Sequence, residues 1–597
     1  MKTLAFSRFW VIGWIFTLVG ALIVFQMLRI QTSQNWRALK DQAVKEYETD
    51  TLKIYPERGY IYDRYGNLLA GNREVYEIGV NLANVKNPET IARDLSEILG
   101  LDYNELLAKA SMPYDKRSRV YVPLARVVPH GKVVKIQAKD KEYDNIPVER
   151  KLFRKPTANR ASLDGLEFRP QLLRSYPERT LGSNVLGFYA FADPTKGRAY
   201  FGVEEHYDEL LTGKPVEVTW YHDPSKAAEI PPVPPGASLI LTLDRSIQAE
   251  MEKIIDRAVA DHKAASGTIV ILDPKTGEVL AMATTPRLDP NKYWNLAEVF
   301  PDNTPYNRGI GETYEPGSVF KVLTMATALD TGVVTPTTPF IDTGSLSIGG
   351  YEIYNWDRGA WGPQDMTGCM QHSLNVCLAW VATKIGPANF YKYLENFGIG
   401  RRTNIDLAGE VYFPLSVPGD RNWYDVNLAT NSYGQGVALA PIQFAMAASA
   451  LANEGRMMAP HVLKAVIENG HQRPIKPILV GTPVSANTAR TLTEMLATSL
   501  EEEASNALVP GYRLAGKTGT AEIPGPYGYT TYLTNASFVG WGPVDNPRFV
   551  IYIWIEKPAT SPWASIVVAP IFREVVSKLV VLMNIPPDEI RHVLYKQ

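Results

Sequence analysis

Three observations predict an α/β protein built in three parts. An apolar run of membrane-spanning length opens the chain, hairpin-like strands and amphipathic helices mix along the rest, and a proline-rich break separates a middle part from a larger final one. The apolar run is Phe9 to Leu28, broken only by Thr17, Gln26 and two glycines. At the helical rise it reaches about 30 Å, the thickness of a bilayer's hydrocarbon core. Lys2 and Arg8 precede it and favour a cytoplasmic N-terminus; Arg29, Arg37 and Lys40 follow it and weaken that asymmetry. The length of the run, with no small-residue cleavage site after it, favours an uncleaved anchor over a signal peptide. No later segment is apolar for long enough to span, so the remainder is expected on the extracytoplasmic side.

The elements follow in order. Asn35 to Thr51 is polar and predicts a helix. Gly66-Asn67 lies between strand-like flanks and predicts a hairpin, continued as strand over Val75 to Asn81. Asn87-Pro88 opens a helix whose apolar face carries Ile91, Leu95, Ile98 and Leu99, and Gly100 stops it. Pro231-Pro232-Val233-Pro234-Pro235-Gly236 is a short, stiff linker. Beyond it, Leu239 to Leu243 reads as strand and Ile247 to Ala260 as amphipathic helix. Thr268 to Leu272 and Glu278 to Ala283 flank the turn Asp273-Pro274-Lys275-Thr276-Gly277. The expected division is an anchor over 1–35, a non-catalytic middle part over 36–235 and a catalytic part over 236–597.

Composition narrows the function. The chain has 597 residues, 45% of them hydrophobic and 21% charged, which is ordinary globular protein too long for one core. A net charge of −2 supplies no basic field for nucleic acid. The two cysteines, Cys369 and Cys377, are too few for a zinc site unaided. Eight residues apart in a helical stretch, they are expected to be too distant to bridge.

Three short signals carry the chemistry. Ser318-Val319-Phe320-Lys321 follows Glu315-Pro316-Gly317 and opens a mostly apolar helix. Ser318 would then sit at a helix N-terminus, where free N–H groups favour developing negative charge. Lys321 lies one turn on, within expected reach of the Ser318 hydroxyl. Burial would push its amine towards the neutral form, able to take the serine proton. Ser373-Leu374-Asn375 opens a second apolar helix, where Ser373 could pass a proton to a leaving amine and Asn375 could hydrogen-bond Lys321. Ser33-Gln34-Asn35 and Ser485-Ala486-Asn487 repeat the pattern, but the first is juxtamembrane and the second reads as a helix cap. Lys-Thr-Gly occurs twice. Lys275-Thr276-Gly277 reads as a hairpin turn; Lys517-Thr518-Gly519-Thr520-Ala521 reads as one strand with the preceding Tyr512 to Ala515. A cation and hydroxyls along a strand edge suit a peptide carboxylate held as an added strand. The N–H of Thr520 could complete an oxyanion hole with that of Ser318.

Several other signals are weaker. Gly511 to Thr518 satisfies the phosphate-loop pattern G-x-x-x-x-G-K-[ST], but Pro524, Gly525, Pro526 and Gly528 forbid the helix that mechanism needs. His372 abuts Ser373 without an evident acid partner and reads as structural. Glu501-Glu502-Glu503 reads as a solvated helix face. Neither G-x-S-x-G nor H-E-x-x-H occurs.

The order Ser318, Lys321, Ser373, Asn375, Lys517, Thr518, Gly519 resembles that of the class B penicillin-binding proteins. The likeness extends to Arg58-Gly59 through Ala70, Gly202-Val203-Glu204, Leu211-Thr212-Gly213, Asp273-Pro274 through Met282, and Ser432-Tyr433-Gly434-Gln435-Gly436. The resemblance implies a dimerisation-type pedestal followed by a serine transpeptidase or β-lactamase-like domain, with an antiparallel sheet flanked by helices. It implies a monofunctional peptidoglycan D,D-transpeptidase. Ser318 would be nucleophile and Lys321 base, with Ser373, Asn375 and Lys517 also catalytic. Thr518, Gly519 and Thr520 would bind substrate. It implies stem peptides and β-lactams as ligands, a multi-pass glycan polymerase as partner, and neither metal nor organic cofactor. Glu315-Pro316-Gly317-Ser318 and Lys517-Thr518-Gly519 look more like the division and spore-cortex branch than the elongation branch. A carboxypeptidase or β-lactamase on the same scaffold and a non-enzymatic β-lactam receptor are the other readings.

Overall fold

The computed structural model describes residues 8–32, 40, 49–54, 56–115, 120–145, 160–193, 196–221, 233–302, 304–503, 505–525 and 528–594. The described chain divides into two units, one of Met1–Arg58 with Thr212–Gly236, the other of Gly59–Leu211 with Ala237–Gln597. In the first unit, helix α1 (Arg8–Thr32) contains the apolar run, and its Trp10–Thr32 stretch is long and apolar enough to cross a membrane. Most of the helix expected over Asn35 to Thr51 lies outside the described residues. Its last three positions are strand instead: β1 (Thr49–Ile54) pairs antiparallel with Val216–Tyr221. An unpaired helix of polar residues has little to hold it, whereas this segment finds a backbone partner.

In the second unit, the hairpin expected around Gly66-Asn67 is β2 (Ile61–Tyr62) and β3 (Leu68–Asn81). Asp63 fixes its turn: its carboxylate accepts from the N–H groups of Tyr65 and Asn67 at 2.9 and 2.8 Å. Helix α2 (Pro88–Leu99) starts where Asn87 caps the Thr90 N–H and stops at Gly100, which has φ 77°. Strands β4 (Tyr121–Pro129) and β5 (Leu166–Ser175) both pair antiparallel with β3. Two stretches of the family-like pattern meet in one buried network here. Arg174 donates to Glu204 at 2.7 Å and to the Gly59 carbonyl at 2.7 Å, and the Tyr176 hydroxyl also donates to Glu204.

After the linker, β6 (Ser238–Leu241) pairs parallel with β2, so one seven-stranded sheet runs through both parts. Helix α3 (Arg245–His262) follows, then the hairpin β7 (Ser266–Leu272) and β8 (Val279–Thr284) around Lys275-Thr276-Gly277, as expected. Helix α4 (Lys321–Asp330) continues a 3-10 turn over Gly317–Phe320. Helices α5 (Met366–Gln371), α6 (Asn375–Ile385) and α7 (Pro441–Ala452) come next. Strands β9 (Leu463–Glu468) and β10 (His471–Pro474) extend the seven-stranded sheet, whose path is β10-β9-β6-β2-β3-β4 with β5 branching from β3.

Helix α8 (Ala486–Glu503) precedes strands β11 (Ala515–Gly525), β12 (Gly528–Gly542) and β13 (Phe549–Glu556); α9 (Ala564–Leu582) and a short last helix, Asp588–Leu594, follow. The second sheet is antiparallel, ordered β8-β7-β13-β12-β11. All eight residues of β13 are buried. Phe549, Ile551, Ile553 and Ile555 pack with α3 and α9, while Val550, Tyr552 and Trp554 join the core on the other face with Phe320 and Phe444. The period of two therefore splits one apolar run between two helical layers. Each fully buried large side chain contributes about 1.5–3 kcal/mol. β11 is left at the edge beside the Gly317–Phe320 turn.

Candidate active site

Two glycines allow the turn that carries Ser318 to approach the edge strand. Gly317 has φ +61°, and a Cβ there would lie 2.6 Å from the Thr520 carbonyl oxygen. Its N–H donates to the Gly434 carbonyl at 3.1 Å. Opposite it, a Cβ on Gly519 would stand 2.8 Å from Val319 Cγ1 and 2.9 Å from the Pro316 carbonyl oxygen. Ser318 is thus set, half-buried, at the start of α4 and against β11.

Lys321 is fully buried among apolar neighbours. Burial holds its amine well below the ordinary lysine value, and the nearby charge of Lys517 lowers it further. Its Nζ donates to the Ser373 carbonyl at 2.5 Å and to Asn375 Oδ1 at 2.8 Å, and lies 3.1 Å from the Ser373 hydroxyl oxygen. The first two sequence signals are therefore joined through Lys321, as the expected Asn375 bond required. The Ser318 hydroxyl is not among these partners.

The disulfide expectation is overturned. Cys369 and Cys377 are bonded, with Cα atoms 6.1 Å apart. A continuous helix would have separated them by about 12 Å. The helix is broken: α5 ends at Gln371, Ser373 has φ +54°, and α6 begins at Asn375. The reversal folds one cysteine back beside the other.

Lys517, Thr518, Gly519 and Thr520 lie on β11, next to one another along the edge, with β12 on their other side. The strand begins at Ala515, three residues later than expected. The phosphate-loop reading fails for the same reason: its Gly516-Lys517-Thr518 sits in a strand, with no helix N-terminus to meet a phosphate. Lys517 is buried and its Nζ donates to the Thr518 carbonyl at 3.2 Å. Thr520 Oγ1 accepts from the Ala564 N–H at 3.0 Å, which ties the strand to the start of α9.

Some positioning residues carry no motif. Leu374 cannot cap α6 with its side chain, and Asn355 does so from a distance: its Oδ1 accepts from the Val376 N–H at 3.1 Å. Asn355 is itself held by Asp342 at 2.7 Å. The Tyr354 carbonyl accepts from Asn375 Nδ2 at 3.1 Å, orienting that amide so that its oxygen faces Lys321. Glu315 accepts from the Gly436 N–H at 3.0 Å and fastens the Ser432–Gly436 stretch beside the turn. These pairs are remote in sequence, so only the glycines around Gly434 gave any sign of them. The Trp356 indole donates to the His372 carbonyl, and the His372 ring stacks on Trp361 at 4.3 Å, consistent with its structural reading. Ser485 caps the Thr488 N–H at 3.1 Å, as its sequence context predicts. Among the described residues no group of His, Cys, Asp and Glu is placed to hold a metal ion.

Comparison with known proteins assigns both parts of the chain to families. The family model of the penicillin binding protein transpeptidase domain matches residues 267–577, and that of the penicillin-binding protein dimerisation domain matches residues 53–223. Stage V sporulation protein D of Bacillus subtilis is 30% identical over 564 residues, covering 91% of this chain and 81% of the relative. Peptidoglycan D,D-transpeptidase FtsI of Escherichia coli K12 is 28% identical over 608 residues, covering 97% and 93%. In fold, penicillin binding protein 2X from Streptococcus thermophilus superposes with a TM-score of 0.74 at 22% identity, over 89% of this chain and 80% of that one. Penicillin binding protein 3 from Mycobacterium tuberculosis, complexed with aztreonam, gives 0.66 at 24%, over 90% and 98%. A buried lysine shared between a serine turn and a Ser-x-Asn loop, beside a Lys-Thr-Gly edge strand, thus stands in a chain that belongs to the penicillin-binding protein transpeptidase family.

Proposed function

We propose that the chain is a membrane-anchored, serine-type peptidoglycan D,D-transpeptidase, with the roles divided as follows. The donor is a stem peptide ending in D-Ala-D-Ala. Its carboxylate lies along β11 on the Thr518 and Thr520 hydroxyls, with Lys517 supplying charge and Gly519 leaving room for the backbone. Ser318 Oγ attacks the penultimate carbonyl while Lys321, as neutral amine, takes the hydroxyl proton. The Ser318 and Thr520 N–H groups hold the oxyanion. The proton passes from Lys321 through Ser373 Oγ to the departing D-Ala nitrogen, the C–N bond breaks, and a serine ester remains. An amine on a second stem peptide then attacks the ester, forms the cross-link and returns the proton to Ser318. A β-lactam would open onto the same serine and stay.

The observation that carries this reading is the hydrogen bonding of Lys321. With the amine neutral it has two hydrogens for the Ser373 carbonyl and Asn375 Oδ1, and its lone pair remains for a hydroxyl proton. Labelling the protein with a fluorescent penicillin and mapping the modified peptide tests it. Label on Ser318 that persists for hours is expected. Label on another residue overturns the mechanism, and rapid release of the label points to a hydrolase.

The domain division 1–35, 36–235 and 236–597 belongs to the same proposal, with the catalytic part outside the cytoplasm. A multi-pass glycan polymerase is the partner we infer, met through the anchor and the middle part. Glu315-Pro316-Gly317-Ser318 and Lys517-Thr518-Gly519, which look more like the division and spore-cortex branch, favour a role in septal synthesis. Depletion should give filaments; round cells would move the role to elongation.

A further inference from the structure

We propose that the Cys369–Cys377 disulfide is a positioning device for the active site: a permanent staple that holds Ser373 and Asn375 against Lys321. The proposal rests on the acylation chemistry above. The bond closes the loop that contains both residues, one cysteine near the end of α5 and the other in the first turn of α6. The loop needs holding. Ser373 occupies the left-handed region, which disfavours a serine, and Leu374 gives α6 no side-chain cap. Within the loop, the Leu374 N–H donates to the Cys369 carbonyl at 3.0 Å and the Ser373 N–H to the Met370 carbonyl at 3.3 Å. All three partners of Lys321 Nζ lie on this reversal. A small shift of α6 relative to α5 would therefore move every partner of the amine together.

The staple is not built as a switch. Both cysteines are fully buried, so an attacking thiolate cannot approach either sulfur while the fold is closed. A bond of this kind forms once, as the chain folds in an oxidising compartment, and fits a catalytic part outside the cytoplasm.

The test uses the full chain in detergent, as wild type and as the double variant Cys369→Ala/Cys377→Ala. Thiols are counted by alkylation in denaturant and mass spectrometry. Acylation by fluorescent penicillin is followed as a rate against pH, and folding by thermal melting. Wild type should yield no alkylated thiol without reductant and two with it. The folded double variant should acylate about 10- to 100-fold more slowly. The rising limb of its pH profile should move to higher pH, as water reaches Lys321 and relieves its burial beside Lys517. A staple that serves stability alone would lower the melting temperature and leave the rate and pH profile of the folded protein unchanged; that result overturns the proposal. Two free thiols in unreduced wild type also overturn it. If the double variant does not fold, the single variants Cys369→Ala and Cys377→Ala take its place, each losing the bond while keeping the other side chain: both should acylate more slowly with the rising limb of the pH profile at higher pH, and a wild-type rate and profile in either folded single variant overturns the proposal. Wild type that takes no label at Ser318 defeats the acylation reading itself, and this inference with it.

Discussion

Lys321 is the residue at which burial bears on the proposed chemistry. A lysine in water is charged at neutral pH and cannot accept a proton. Here it is enclosed by apolar neighbours, and its amine is pushed well below the ordinary lysine value of 10.5. Replacing it by methionine keeps much of the packing and removes the proposed base. We expect Lys321→Met to reduce the rate of penicillin acylation about a hundredfold or more, read by fluorescent labelling. The same burial sets the sign of a stability change. The folded chain holds this proton less tightly than the unfolded chain, so the unfolded chain binds more protons between the two values. Stability therefore rises with pH through that window, up to about the ordinary value. Thermal melts of Lys321→Met against wild type should show that contribution to the rise gone. An identical pH dependence in the two proteins would contradict it.

Among the elements, β11 is where close approach decides function. Gly519 sits on this edge strand because the Pro316–Val319 backbone passes too near for any side chain. In Gly519→Ala the strand and the Ser318 turn must separate. The expected cost is about 1–3 kcal/mol by denaturant unfolding, with a larger proportional loss of acylation than of stability. Gly481→Ala is the control: a Cβ there meets nothing within 4 Å, so its effect should stay within about 0.5 kcal/mol. The elements themselves were largely legible. Helix α2 carries a side-chain cap at its start and a glycine at its stop, both written in adjacent residues. The hairpin of β7 and β8 announces its turn in the same way. Where the reading failed, no local rule applied. Thr49–Ile54 became strand because Val216–Tyr221 is available to pair with it, a partner far along the chain.

Across the molecule, the seven-stranded sheet and a shared apolar core make one body of Gly59–Leu211 and Ala237–Gln597. The Arg174–Glu204 pair is buried within this body, its side chains 2% and 0% exposed, so neither charge can turn to solvent instead. Arg174→Met should leave the buried Glu204 carboxylate without its neutralising cation, at a cost of about 3–5 kcal/mol. We expect a lower melting temperature with label still on Ser318 below the melt, since the pair touches none of the acylation residues. An unchanged melting temperature would show that the pair is dispensable.

The amino-acid order alone determined the α/β class and the membrane-length helix, and it singled out Ser318, Lys321, Ser373, Asn375, Lys517, Thr518, Gly519 and Thr520 as the set to propose. It could do so because spacing along a helix or strand is local, and these residues are read by their neighbours. The tertiary structure decided the rest. It aimed Lys321 at the Ser373–Asn375 loop, supplied Asn355 as a distant cap for α6, and joined Cys369 to Cys377. That last point inverted the sequence expectation, because the distance between two cysteines depends on whether the helix between them continues. Helix continuity at Ser373 is set by packing and by backbone bonds on either side, which composition and spacing do not encode.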